Sequence, residues 1–309
     1  MTDGASSVGF IGLGSMGSPM ASRLGDWSGG LTVFDVRADA ASALAERGAK
    51  VAGSPREVAE ASDVISVMVL DDAQVREVLA GGDGVLTGAR PGTVVAIHST
   101  IAPGTAESLA DDARTTGVAV VDAPVSGGFV GAHEGTLAVL VGGDNAAVER
   151  CRGPFGRWAN LFVHVGPVGA GTRAKLARNL VTMVSFAAAA EAQRLAEAAG
   201  IDLAALGRVV RHSDAVTGGP GAIMLRDSTA LLAPGDDWYD AMVHTRTLGE
   251  KDLRLVLDLA ADLGVALPLA EEALTRLADA LGVPHSGREG APTSKAAASA
   301  NEQAGGNTP

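Results

Sequence analysis

The stretch that most constrains this chain is Val8-Gly9-Phe10-Ile11-Gly12-Leu13-Gly14-Ser15-Met16-Gly17. An apolar run the length of a buried strand leads straight into a glycine-rich turn, and a helical pattern from Pro19 to Leu24 follows. The glycines fall at the G-x-G-x-x-G spacing of dinucleotide-binding βα units. In that setting Gly12 permits the tight turn, Gly14 lets backbone approach a pyrophosphate, and Gly17 lets the helix pack on the strand. Leu13, Ser15 and Met16 belong to the same cofactor-facing turn, beside a helix start whose N–H groups and dipole favour an anion. The chain has 41 glycines, so the spacing alone decides little. Context carries it: a second apolar run, Leu31-Thr32-Val33-Phe34, ends in Asp35. From there a carboxylate accepts hydrogen bonds from an adenine ribose, which favours NAD over NADP, with Arg37 close enough to leave NADP open.

Further apolar runs at 63–70, 93–97 and 118–122 alternate with helical patterns, and shorter ones at 137–141 and 161–165 extend the series. Such alternation implies parallel strands joined by right-handed crossovers. Ligands of these sheets bind beyond the C-terminal strand ends. Val69, Leu70 and Thr100 are therefore assigned to the cofactor, and Ser126-Gly127-Gly128 lies on the same rim. Near Gly169 the texture changes to helical patterns alone, over 172–199, from 203, over 240–263 and over 269–281. The predicted fold class is α/β, an N-terminal Rossmann-type doubly wound sheet over 1–168 followed by an all-α domain over 169–285 that a long helix enters. Residues 286–309, rich in Ala, Ser, Gly and Asn, are expected to form a disordered tail.

Composition removes several classes of function. The net charge is −12 with no run of Lys and Arg, which leaves no footprint for nucleic acid. A single cysteine, Cys151, excludes an intramolecular disulfide. The six histidines show no spacing that would hold a metal. Glu191 and Arg194 interrupt the most apolar long stretch, so no run reaches the roughly 18 residues of a membrane span. The polar start up to Ser7 leaves no room for a signal peptide. The expectation is a cytoplasmic protein with neither metal, membrane nor nucleic-acid partner.

The order of motifs resembles the β-hydroxyacid dehydrogenases, the family of 3-hydroxyisobutyrate dehydrogenase and tartronate semialdehyde reductase, over roughly residues 8 to 284. Beyond the fingerprint, the resemblance rests on Ser99-Thr100-Ile101-Ala102-Pro103, Asp122-Ala123-Pro124-Val125-Ser126-Gly127-Gly128 and Gly135-Thr136-Leu137. It continues through Gly169-Ala170-Gly171-Thr172-Arg173-Ala174-Lys175-Leu176-Ala177-Arg178-Asn179 and Lys251-Asp252-Leu253. It implies NAD- or NADP-dependent interconversion of a 3-hydroxyacid and its semialdehyde or keto form, and a homo-oligomer, most simply a dimer, formed through the helical domain.

Three chemical tasks then need residues. Two successive glycines beside a hydroxyl, Ser126-Gly127-Gly128, make either an ordinary tight turn or an anion nest; the resemblance implies a clamp for the substrate carboxylate. Lys175 and Asn179, four apart, share a helix face. Spacing alone fits a solvated lysine and a surface amide. The resemblance makes Lys175 the proton-transfer group, with burial lowering its pKa, and Asn179 its partner, bonding the same oxygen or orienting the amine. Lys251 resembles the family lysine that closes over the cofactor, with a solvated ion pair as its competitor. The chain also departs from the family: His98 stands for an Asp, Arg178 for an Asn, and His244 for a Phe. His244 is placed near the acyl end of the substrate. An imine reductase of the same architecture is the alternative activity, although that family generally lacks the lysine. A non-catalytic dinucleotide sensor is a third reading, and would have no use for Lys175, Asn179 and Ser126.

Overall fold

The computed structural model describes residues 5–224 and 229–286. The chain divides into two units, Met1–Leu180 and Val181–Pro309. The first opens with β1 (Val8–Ile11), α1 (Gly17–Ser22), β2 (Leu31–Phe34), α2 (Ser42–Ala45), β3 (Lys50–Val51) and α3 (Pro55–Glu60). It continues with β4 (Val64–Val67), α4 (Asp72–Ala80), α5 (Val85–Gly88), β5 (Val94–Ile97), α6 (Pro103–Arg114) and β6 (Ala119–Asp122). Then come β7 (Val125–Ser126), α7 (Gly128–Glu134), β8 (Leu137–Gly142), α8 (Asn145–Phe155) and β9 (Ala159–Gly166). Helix α9 (Ala170–Ala198) begins in this unit and ends in the second.

The sheet runs β3-β2-β1-β4-β5-β6-β8-β7, with β9 also paired to β8. Strands β1 to β6 are mutually parallel, as the alternation of strands and helices requires. The largely apolar runs of β1, β4 and β5 are explained by burial on both faces. Along β4 and β5, Val64, Val94 and Ala96 enter one core, while Ile65, Val67, Val95 and Ile97 enter the other. The last strands correct the expectation of a uniformly parallel sheet. β8 is antiparallel to both β6 and β7, and only β9 resumes a parallel pairing, with β8. The reason is the link from β6 to β8, which folds back through β7 and α7 instead of crossing over. Strand β7, two residues long, is too short for any periodicity to reveal.

The second unit holds the rest of α9, then α10 (Leu203–Thr217), α11 (Tyr239–Leu263) and α12 (Pro268–Leu281). Met242, Leu281 and Val283 form its small core with Leu232, Tyr239, Val243 and Leu277 packed around them. Pro268 suits the first turn of α12, where a missing N–H costs nothing. No adjacent side chain caps that helix. Instead the buried Glu191 carboxylate on α9 accepts the N–H groups of Leu269, at 3.0 Å, and Ala270, at 3.2 Å. No helix among the described residues is long and apolar enough to cross a membrane. Apart from Ser286, the expected tail over 286–309 lies outside the described residues.

Candidate active site

At the C-terminal ends of β1, β2, β4 and β5 lies a cleft of about 860 Å³. Gly12, Gly14, Ser15, Met16, Asp35, Val69, Leu70 and Thr100, all assigned to the cofactor from sequence, line it. Gly12 adopts φ +90°, and a Cβ there would collide with the Met68 carbonyl. Gly14 is the opposite case: a Cβ would meet nothing within 4 Å, so its surface is open space. Gly17 packs directly on Gly12, where the carbonyl of Gly12 leaves no room for a Cβ. No side chain caps the start of α1. Open backbone beside uncapped N–H groups is the cradle a pyrophosphate needs.

Leu13 does not line the cleft; it is buried, and its N–H donates to Asp35 Oδ2 at 2.7 Å. Asp35 Oδ1 accepts the N–H of Arg37 at 2.8 Å, with Arg37 Nε 3.6 Å away. The carboxylate is thereby fixed at the tip of β2, its charge facing the cleft and suited to ribose hydroxyls. Two contributors were not assigned to the site from sequence, Ser99 and Val36. Ser99 Oγ donates to the Val69 carbonyl at 2.7 Å and accepts the Val69 N–H at 3.0 Å, so it ties the ends of β4 and β5 together. The exposed Val36 and Leu70 flank the cleft, suited to cover an apolar ring face such as adenine. The signal for both was position: Val36 stands two residues beyond the end of β2 and Ser99 two beyond the end of β5.

The second group gathers around β8. Ser126 on β7 pairs with Ala138, and Asp122, ending β6, pairs with Gly142. Gly127 and Gly128 take φ +130° and +63°, conformations that suit glycine. No side chain caps α7, which Gly128 begins. The turn carries the Ser126 hydroxyl and the glycine N–H groups, donors of the kind an anion nest uses. The start of α9 sits on the same strand: Gly171 packs so closely that a Cβ would lie 2.5 Å from the Leu140 carbonyl. One turn further along α9 is Lys175, only 8% exposed. Burial first, and the Arg178 guanidinium second, push its amine below the ordinary lysine value. The half-buried Asn179 accepts a hydrogen bond from Arg178 at 3.4 Å, so the residue that departs from the family orients the one that matches it.

His98 is a core residue. It is fully buried, its ring edge-on to Phe155 and Trp158 with centroids 4.9 and 5.1 Å away. His98 Nδ1 lies 2.8 Å from the Ala123 carbonyl and Nε2 lies 3.0 Å from Ser66 Oγ. A carbonyl can only accept, so Nδ1 carries the proton and the Ser66 hydroxyl donates to Nε2. Burial pushes the imidazole down to about 4, so it stays neutral. In the second unit, His244 is exposed on α11. Lys251, on the same helix, is exposed and pairs with Asp252 at 2.9 Å.

Comparison with known proteins adds to this geometry. Residues 7–166 match the family model described as the NAD binding domain of 6-phosphogluconate dehydrogenase. Residues 169–290 match that of the NAD-binding region of NADP-dependent 3-hydroxyisobutyrate dehydrogenase. An oxidoreductase of Mycobacterium tuberculosis is 59% identical over 90% of this chain and 94% of its own length. A probable mitochondrial 3-hydroxyisobutyrate dehydrogenase of Dictyostelium discoideum is 36% identical over 88% and 84%. The solved structure of a M. tuberculosis 3-hydroxyisobutyrate dehydrogenase with L-serine superposes with a TM-score of 0.62 at 32% identity, covering 90% of this chain and 96% of that one. A Streptomyces aurantiacus imine reductase shares the fold, with a TM-score of 0.70 at 22% identity over 90% of this chain and 96% of that one.

Proposed function

This chain belongs to the β-hydroxyacid dehydrogenase family, that of 3-hydroxyisobutyrate dehydrogenase, and from that premise we propose that it oxidises a 3-hydroxyacid to its semialdehyde, reversibly, with Lys175 as the proton-transfer group. The family and the cleft make the protein an NAD- or NADP-dependent oxidoreductase. When bound, the nicotinamide supplies the two-electron hydride acceptor. The observation that carries the lysine assignment is its burial, on a helix registered to the same strand as the Ser126 turn.

Each residue then has a task. Ser126 and the N–H groups of Gly127 and Gly128 hold the substrate carboxylate, which fixes the carbinol carbon in place. The hydroxyl proton passes to the neutral amine of Lys175 as that carbon loses its hydride, and it returns along the same path on reduction. An amine held below its ordinary value is neutral more of the time, as a base must be. Asn179 orients the reacting oxygen. Asp35 favours NAD, because its fixed charge repels a 2′-phosphate. The substrate class follows the relatives: a small acid with a hydroxyl on its third carbon, a description that L-serine in the M. tuberculosis structure also meets. His244 adjusts the choice of acyl group, and Lys251 serves the cofactor.

Met183, Val184 and Phe186 of α9 and Val209, Val210 and Val216 of α10 are exposed apolar residues, and α10 buries none of its own. Covering them is the task of a second copy of the chain. Light scattering at micromolar concentration checks this, and a mass of 30.9 kDa, the monomer value, would refute it.

The lysine assignment is tested by Lys175→Ala in a screen of 3-hydroxyacids with NAD. Turnover should fall by about 10²–10⁴-fold, the usual loss for a general acid–base, while NADH affinity is kept. Lys175→Arg should not rescue, because a guanidinium stays protonated. Wild-type turnover in either variant sinks the assignment, and turnover of cyclic imines in place of hydroxyacids would favour the imine reductase reading.

A further inference from the structure

Asp122 ends β6 with its side chain fully buried; it does not line the cofactor cleft and has no role in the chemistry above. Its two oxygens are both engaged at the start of α9. The N–H of Gly169 donates to Oδ1 at 2.7 Å, and the N–H of Thr172 donates to Oδ2 at 2.6 Å. These are among the first N–H groups of the helix, which have no partner within it. A carboxylate there also meets the positive end of the helix dipole. Burial raises the Asp122 carboxyl above the ordinary carboxylate range and outweighs the two N–H donors, which pull it down. With each oxygen accepting an N–H, the arrangement is that of the carboxylate.

The surroundings hold this cap to one geometry. A Cβ on Gly142 would collide with Asp122 Oδ1, and a Cβ on Gly171 would lie 2.6 Å from the Asp122 carbonyl oxygen. Strand β6, strand β8 and the first turn of α9 therefore meet backbone to backbone, with only the carboxylate between them. Four residues after Asp122 the same chain presents Ser126; three residues after Thr172 the helix presents Lys175.

We infer that Asp122 is the positioning residue of the active site: by capping α9 it fixes the distance and angle between Lys175 and the carboxylate-binding turn at Ser126. It acts through backbone geometry, since Arg178 is the charged residue that acts on the Lys175 amine. This inference rests on the proposed role of Lys175, and its test includes readouts that do not need turnover.

Asp122→Asn is nearly isosteric but turns one N–H acceptor into a donor facing an N–H. Turnover with NAD and an accepted 3-hydroxyacid should fall by about 10–100-fold, since misplacement of about 1 Å costs on that order. NADH affinity should stay within about twofold, which also shows that the first unit is folded. Amide exchange at Gly169 and Thr172 should quicken. The Lys175 amine, followed by the pH dependence of its acylation, should titrate at a higher pH as the helix start loosens. Gly171→Ala, which keeps the carboxylate but pushes the helix away, should reproduce the loss of turnover. Faster exchange with turnover and lysine titration unchanged would overturn the inference and leave a merely structural cap. Unchanged exchange would overturn it at its base. A wild-type protein silent on every hydroxyacid would sink the proposed reaction instead, and lysine titration with amide exchange would still decide the role of Asp122.

Discussion

Acidification from pH 8 to pH 5 should remove about 2 kcal/mol of folding stability through His98 alone. The folded protein holds this imidazole neutral, at about 4 against 6.5 in the unfolded chain, because burial disfavours its charged form. Between those values the unfolded chain binds a proton that the folded one refuses, so stability rises with pH. The contribution is complete above about 6.5, erodes as pH falls, and is lost below about 4; the full loss is about 3.4 kcal/mol, 2.5 pH units at 1.36 each. The perturbation that isolates it is His98→Asn, which cannot titrate but keeps a donor for the Ala123 carbonyl. At pH 8 the variant should be less stable by a few kcal/mol, since two edge-on ring contacts worth about 0.5–1.5 kcal/mol each are gone and a cavity remains. At pH 5 the gap between wild type and variant should be about 2 kcal/mol narrower. Urea unfolding at several pH values, followed by fluorescence of Trp158 against the His98 ring, measures the gap. A gap of equal size at pH 5 and pH 8 would refute the reasoning, as would a His98 ring proton that titrates near 6.5 in the folded state.

Two further outcomes separate binding from folding at the cleft. Gly14→Ala adds a methyl where nothing lies within 4 Å, so its melting temperature should match wild type while NADH affinity drops about tenfold or more. Gly12→Ala must strain φ +90° and strike the Met68 carbonyl, so it should lose about 2 kcal/mol or more of stability, read by thermal unfolding with and without NADH. If Gly14→Ala binds NADH as wild type does, the cradle is misassigned. Asp35→Ala leaves Arg37 to face the ribose and frees the Leu13 N–H. The ratio of kcat/KM for NAD over NADP should fall at least about tenfold, and an NAD preference that survives the substitution would mean that another group discriminates.

How far the sequence could be read depended on the range of each interaction. Strands β1, β4 and β5 were legible because they are buried throughout, so their positions are nearly all apolar or small, whereas β3, two exposed residues long, carries no such run. The long helices were legible from their patterns and from glycine stops at Gly200, Gly218 and Gly264. The reversal at β8 was not, because the hydrogen bonds that define it join residues whose side chains look the same in either direction. His98 stands in a family motif beside the cofactor rim, and only the fold shows its ring inside an aromatic box. The fingerprint turn was readable as a unit, yet the Leu13 N–H to Asp35 bond joins two of its parts across the tip of β2 and has no signature in spacing. Asp122 is one residue of a motif in the sequence; its purpose depends on an amide 47 positions later, at the start of α9.

The Glu191 cap on α12 has a consequence for the order in which the chain matures. The acceptor and the amide it serves are 78 positions apart. During synthesis from the N-terminus, Glu191 emerges long before Leu269 exists, and must stay hydrated until its partner arrives. Helix α12, lacking a neighbouring cap, has no local means to secure its first turn, and loop closure over such a span is slow compared with helix growth. The start of α12 should therefore be among the last amides protected in a pulse-labelled refolding experiment, well behind the strands of the sheet. A late helix is thus locked by a carboxylate made early, and the second unit can close only after both have been synthesised.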